Sequence, residues 1–355
     1  MSRDVEHKGF VDWIGALCCL RGPILLLVFA LLAFPARGWS RWPESAFAQK
    51  PLRSYPFRPL RSPHDTKGQT VIGAEETYTI QAQDTLWDVA RYLDLGWREL
   101  RDAFPGLDPW SPPLGQPLDV PTLHVLPQNP YKGVVINLPE LRLYYFPSQP
   151  APDGSRAVVT VPVGLGSRMK QTPAGVFRVG EKTVNPMWVI PDSIRKERQQ
   201  TRGQTEYAIP GGSPDNPLGK HRLRLTHSDI EIHGTNAPRT VGQLTSHGCI
   251  RLYPEDIEQL FSLIDPGTPA TILYQIVKVG VRQEKVYVEV HPDLYHRILD
   301  LWVEAVRVIT ASGLSDRVNS TRLHKAVVEQ AGVPVDVTRG EDSQGDLLPP
   351  VSAVE

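Results

Sequence analysis

Residues 232–252 read I-H-G-T-N-A-P-R-T-V-G-Q-L-T-S-H-G-C-I-R-L and carry His233, His247 and Cys249. Attack of a thiol on a carbonyl needs a thiolate, a base to take its proton and donors to meet the oxyanion that forms. Cys249 supplies the first and a histidine within hydrogen-bond reach the second. Backbone N–H groups around Gly248 supply the third, since glycine lets the main chain approach a substrate closely. The constellation predicts nucleophilic cysteine catalysis.

Cysteine usage supports that chemistry. The chain has three cysteines, and Cys18 and Cys19 lie in an N-terminal apolar segment. The working domain therefore holds one thiol, Cys249, without an intramolecular partner, which in an oxidising compartment favours a chemical role. Two other readings stay open: a buried structural cysteine, and a zinc site from His233, His247 and Cys249, for which no fourth ligand stands at a metal-like spacing.

H-G-T-N followed by T-S-H-G-C-I-R-L resembles the active-site signature of the L,D-transpeptidases of the YkuD (ErfK/YbiS/YcfS/YnhG) family, over residues 131–274. The resemblance implies a Cys249 thioester with a tetrapeptide stem of peptidoglycan, expulsion of terminal D-Ala, and transfer to an amine. The amine belongs to a second stem, giving a 3→3 cross-link, or to an envelope lipoprotein. Water as acceptor makes an L,D-carboxypeptidase. Neither metal nor organic cofactor is implied, and inhibition by carbapenems is expected.

By the same resemblance His233 is the base, at a strand end before flexible Gly234, with a backbone carbonyl such as that of Gly234 holding its tautomer. In an extended segment His247, Cys249 and Arg251 share one face. His247 is assigned to substrate binding or oxyanion support. Arg251 offers a fork for the carboxylate-rich stem peptide. Ser246 and Gly234 are placed on the substrate side, with Trp188 and Tyr207 from a lid-like insertion. A nearby imidazolium is expected to lower the thiol pKa.

The elements that position these residues follow in chain order. Basic Arg3, Lys8 and Arg21 precede the apolar run 23–34, which predicts export through a signal peptide with Ala46-Phe47-Ala48 as its cleavage site, or a membrane anchor, over residues 1–48. Residues 49–75, rich in Pro, Arg and Ser, predict an extended linker. Residues 76–122 predict a small α+β unit. Strand 77–81, a helix capped by Asp84 or Thr85 with Leu86, Val89, Ala90 and Leu93 on its apolar face, helix 97–104 and strand 117–121 make a βααβ order. It resembles a LysM module, which implies a grip on the glycan strand. Phe104 replaces the usual Asn, and 110–113 is a proline-rich insertion.

Residues 131–275 alternate strand and turn, predicting a mainly β catalytic domain of sandwich or barrel type, with the nearly all-apolar 157–164 as a central strand. Thr172-Pro173-Ala174-Gly175 is a further landmark of the family fold. Residues 185–212, with a charged helix at 193–202, interrupt the rhythm as a lid or binding loop. A hairpin after Tyr274, a helix from Asp293 to Ala311 and a second from Thr321 to Ala331 predict a C-terminal extension over 276–338; 339–355 reads as a disordered tail.

The net charge of -1 gives no sign of a nucleic-acid partner, and 34 prolines suit a loop-rich β protein. A papain-like protease is disfavoured, because there the cysteine precedes the histidine, whereas here His233 comes sixteen positions ahead of Cys249. A non-catalytic wall-binding protein is the remaining alternative.

Overall fold

The computed structural model describes residues 42–148, 155–340 and 348. The apolar run and both N-terminal cysteines lie outside the described residues, as does nearly all of the tail. Among the described residues no helix is long and apolar enough to cross a membrane.

The body is a sheet of nine strands: β1 (Ser54–Phe57), β2 (Gly133–Asn137), β3 (Arg142–Phe146), β4 (Arg156–Pro162), β5 (Gly175–Val184), β6 (His221–Leu225), β7 (Glu231–His233), β8 (Ile250–Arg251) and β9 (Pro269–Leu273), in the order β1-β4-β3-β2-β9-β5-β6-β7-β8. The first half of β5 pairs with β9 and its second half with β6, with a register shift between Val179 and Lys182 where it changes partner. Such a bulge bends a strand and lets one sheet curl over a core. Val134, Ile136, Leu143, Val161, Leu223, Ile232, Ile250 and Leu252 fill that core, closed by Ile257 and Leu260 of helix Pro254–Leu263.

Two expectations are corrected here. Residues 49–75 are not a free linker, because β1 pairs antiparallel with β4 (Ser54↔Val159, Phe57↔Arg156) and buries Phe57. Pro56 is tolerated because β1 is an edge strand and needs no N–H on its open side. Strand β4, read as central, therefore lies next to the edge, and its apolar character comes from burial on both faces, Val159 and Val161 in the main core and Val158 against Phe57 and Phe146. The sheet centre is β9, parallel to β2 and antiparallel to β5.

The folded body also starts before residue 49. Helix Glu44–Ala48 buries Phe47, whose ring lies 4.1 Å below the Arg91 guanidinium, and Glu44 takes two hydrogen bonds from Arg91. A cut after Ala48 would discard these contacts. A chain beginning at Gln49 is expected to be less stable in urea by about 1.5–3 kcal/mol than one beginning at Trp42, the worth of one buried aromatic side chain.

The βααβ order is present as strands Glu76–Thr79 and Pro117–Val120, paired antiparallel, around helices Leu86–Tyr92 and Trp97–Ala103. Thr85 caps the first helix by accepting from the Asp88 N–H at 3.2 Å. The unit is bolted to the sheet. Arg91 donates to Glu255 at 2.8 Å through both Nε and Nη2, Arg142 pairs with Glu99 at 2.7 Å, and the Trp97 N–H reaches the Val241 carbonyl at 3.4 Å. Gly96 and Gly242 meet there so closely that a Cβ on Gly242 would lie 2.3 Å from the Trp97 nitrogen.

After β9, strands Val277–Arg282, Lys285–Val290 and Pro334–Asp336 form a second small sheet, covered by helices Leu301–Ala311 and Ser320–Glu329. The first helix is shorter than its apolar pattern suggests. Asp300 caps it, and Leu294, which fits its apolar face by spacing, turns back into the main core together with Tyr295.

Candidate active site

Strands β7 and β8 run parallel with Ile232 opposite Ile250 and His233 opposite Arg251. Both isoleucines are buried in the core, so by alternation His233 and Arg251 turn to the other face. Cys249 immediately precedes β8, level with Glu231 of the neighbouring strand. Histidine, arginine and cysteine thus meet at the sheet edge.

His233 is 3% exposed, and its Nδ1 lies 2.6 Å from the Gly234 carbonyl. A carbonyl only accepts, so the proton sits on Nδ1 and Nε2 keeps the basic lone pair. Burial, helped by the positive charges of Arg251 and Arg222, pulls the imidazole pKa down to about 4 against the opposing Gly234 bond. Gly234, expected on the substrate side, thus acts on the histidine.

Burial pushes the Cys249 thiol up from its ordinary value, and the Glu231 backbone bond and Arg251 charge only partly oppose that. The thiol points to the Asp229 carbonyl at 3.8 Å. The expectation of a resting imidazolium beside a thiolate is therefore corrected: thiol and imidazole are both neutral, because the enclosure that brings them together also penalises both charges. His233 Nδ1 is spent on the Gly234 carbonyl and the thiol on the Asp229 carbonyl.

The loop before Cys249 is a turn. Gly248 has φ 114, and a Cβ there would have room, so the backbone angle and not space calls for glycine. The alternation that put His247 on one face with Cys249 does not apply across this bend. His247 is half exposed, with Nε2 3.6 Å from Glu197 of helix Asp192–Arg202. Ser246, assigned to substrate, is buried. Its hydroxyl donates to the Cys249 carbonyl at 2.6 Å and accepts the Gly248 N–H at 3.1 Å. That bond removes Gly248 N–H from the expected oxyanion donors.

Arg251 reaches Thr245 Oγ1 at 3.4 Å, and its Nε is buried with no partner. Among the described residues no carboxylate pairs with it, and burial lowers its pKa. A guanidinium held in this way lacks an anion. Trp188, half-buried, pairs through its strand with Ile209 and lies under Arg198 at 5.7 Å, while exposed Tyr207 lies under Arg195 at 5.4 Å. Both belong to the flap that carries helix Asp192–Arg202, and His247 touches the same helix. A groove of ≈ 510 Å³, lined by Glu181, Arg224, His227 and Asp229 among others, adjoins the thiol through Asp229.

The sequence marks Thr172 only as part of a landmark motif. Fully buried, it accepts the Gly166 N–H at 3.0 Å and donates to the Gly248 carbonyl at 2.9 Å.

One cluster of metal-type donors occurs among the described residues: His124, Glu140 and Glu289, with ligand atoms within 4.8 Å of one another. It lies between the main sheet and the C-terminal one. Lys278 already meets its charge, 2.8 Å from Glu140 and 2.9 Å from Glu289.

A buried histidine of fixed tautomer and the only cysteine of the described residues thus stand on neighbouring strands, the cysteine on a pinned turn, a donor set of the kind that cysteine acyl transfer uses. The YkuD family model, described as the L,D-transpeptidase catalytic domain, matches residues 131–272. The chain is 31% identical over 321 residues to "Probable L,D-transpeptidase YcfS" of Escherichia coli (strain K12), covering 87% of this chain and 98% of the relative. It is also 31% identical over 286 residues to "Probable L,D-transpeptidase YbiS" of the same strain, covering 77% and 90%. The NMR structure of the catalytic domain from E. faecium L,D-transpeptidase aligns at 21% identity and TM-score 0.30, covering 41% of this chain and 100% of that one, too loosely to add weight. This chain belongs to the YkuD family of L,D-transpeptidases.

Proposed function

We propose that the chain remodels peptidoglycan through a Cys249 thioester. The Cys249 sulfur attacks the carbonyl of the third residue of a tetrapeptide stem, and its proton passes to His233 Nε2. The C–N bond to D-Ala breaks, and the imidazolium returns the proton to the leaving amine. An acceptor amine then attacks the thioester, losing its proton to the same nitrogen, and the sulfur leaves, taking that proton back to restore the neutral thiol and imidazole. The observation that carries this reading is the His233 Nδ1–Gly234 bond, which leaves a neutral base on the strand next to the one thiol of the described residues.

Arg251, with its unpartnered Nε, binds a stem carboxylate, and Trp188, Tyr207 and His247, gathered around helix Asp192–Arg202, contact the substrate from the flap. The Cys249 amide, engaged by none of the bonds that pin the turn, meets the oxyanion. The βααβ unit acts as a LysM grip on the glycan strand, and its bolted attachment holds that strand in register with the active site. Basic residues ahead of the N-terminal apolar run support a periplasmic or envelope location. The acceptor is a second stem or an envelope lipoprotein.

Incubating the chain with purified muropeptides and reading products by mass spectrometry tests the reaction. Dimers joined 3→3 are expected. Loss of D-Ala without dimers would make water the acceptor, and unchanged muropeptides would remove the reading.

A further inference from the structure

The C-terminal segment after the family match at 131–272 reaches back to the nucleophile turn. Tyr295, 5% exposed, donates its phenolic hydrogen to the Gly166 carbonyl at 2.7 Å and accepts the Thr172 N–H at 3.4 Å. Thr172 in turn grips Gly166 N–H and Gly248 O. Tyr295 is itself held from behind. Its N–H donates to Tyr274 Oη at 2.9 Å, the Tyr274 hydroxyl bonds Asp293, and the two rings stack at 6.0 Å.

What this grip controls follows from the planarity of the peptide unit. The Gly248 carbonyl and the Cys249 N–H belong to one trans plane and point in opposite directions. Thr172 pins the carbonyl, Ser246 pins the Gly248 N–H and the Cys249 carbonyl, and the Cys249 N–H is thereby aimed away from Thr172.

We infer that Tyr295 is a positioning residue for the transpeptidase reaction, fixing through Thr172 the peptide plane whose N–H meets the oxyanion on Cys249. The C-terminal extension is then part of the catalytic apparatus. This rests on the cysteine-thioester reading above.

The test compares two reactions of Cys249 in the full chain. Acylation by ertapenem develops an oxyanion; alkylation by iodoacetamide displaces iodide at the sulfur and develops none. In Tyr295→Phe, which keeps the ring and loses only the hydroxyl, acylation is expected to slow about tenfold while alkylation stays within about twofold. Thr172→Val, one step nearer, is expected to show the same split and a larger loss. Unchanged acylation in both variants would overturn the inference. So would an equal fall in acylation and alkylation together with the thermal midpoint, the signature of a merely structural residue. A wild-type chain that ertapenem leaves unlabelled overturns the thioester reading and this inference with it, whereas a labelled wild type with indifferent variants overturns this inference alone.

Discussion

Replacing His233 with asparagine slows Cys249 acylation at neutral pH by about a thousandfold, a loss typical of a removed general base. Asparagine retains an N–H that can donate to the Gly234 carbonyl, as Nδ1 does at 2.6 Å, so the surrounding loop is preserved while the lone pair of Nε2 is lost. The loss is large because the thiol pKa is pushed up by burial, and little thiolate exists to attack unassisted. The pH profile of the wild type carries the same signature. An ordinary histidine is protonated below about 6.5, whereas His233 stays neutral down to about 4. Acylation is therefore expected to persist at about pH 5, with its acid limb near 4, and a limb near 6.5 would contradict the buried base.

Stability follows the same group. Its folded pKa lies below its unfolded one, so between about 4 and 6.5 the unfolded chain binds more protons. The contribution is complete above 6.5 and is lost as pH falls toward 4, by roughly 3 kcal/mol.

Replacing Lys278 with methionine costs about 3–5 kcal/mol of folding stability, measured by urea denaturation, because it strands two buried carboxylates. Lys278 is fully buried, donates to the Val125 carbonyl at 2.7 Å, and neutralises Glu140 and Glu289 together. Burial alone would raise the Glu289 carboxyl, but Lys278 and His291 outweigh it and hold it below its ordinary value. Glu289 also takes the Val125 N–H at 2.6 Å, so the cluster ties the main sheet, strand His124–Val125 and the C-terminal sheet into one piece. Adding Glu140→Gln and Glu289→Gln to Lys278→Met is expected to recover part of the loss. A single substitution that unfolds no earlier than wild type would show that the three charges are not coupled.

Residues of the site were legible because their chemistry is local. His233 and Cys249 stand in short motifs flanked by β-type runs, and two strands pairing side by side bring such motifs together. The carbonyl neighbour of His233 is one residue away, so its partner could be foreseen. What sequence could not supply was the path of the chain between Ser246 and Ile250. One glycine at positive φ abolishes the alternation on which the placement of His247 depended, and Ser246 was spent on holding that turn. Strand β1 was hidden for a related reason: a four-residue edge strand containing Pro56 carries no period long enough to read. Tyr295 was hidden inside the expected helix 293–311, because Leu294, Ile298 and Leu301 fit the period of a helix that begins only at Leu301.

The placement of β9 sets the order in which the molecule can assemble. Strands β1, β4, β3 and β2 form one half-sheet and β5 to β8 the other, and β9, the last of the nine to be synthesised, is the seam between them. A chain emerging amino end first would hold two open-edged halves until residues 269–273 arrive, a route dominated by distant pairings and therefore slow. The half that carries the thiol would therefore close its core only once residue 273 of the 355 has been delivered, when Ala270 and Ile272 join it.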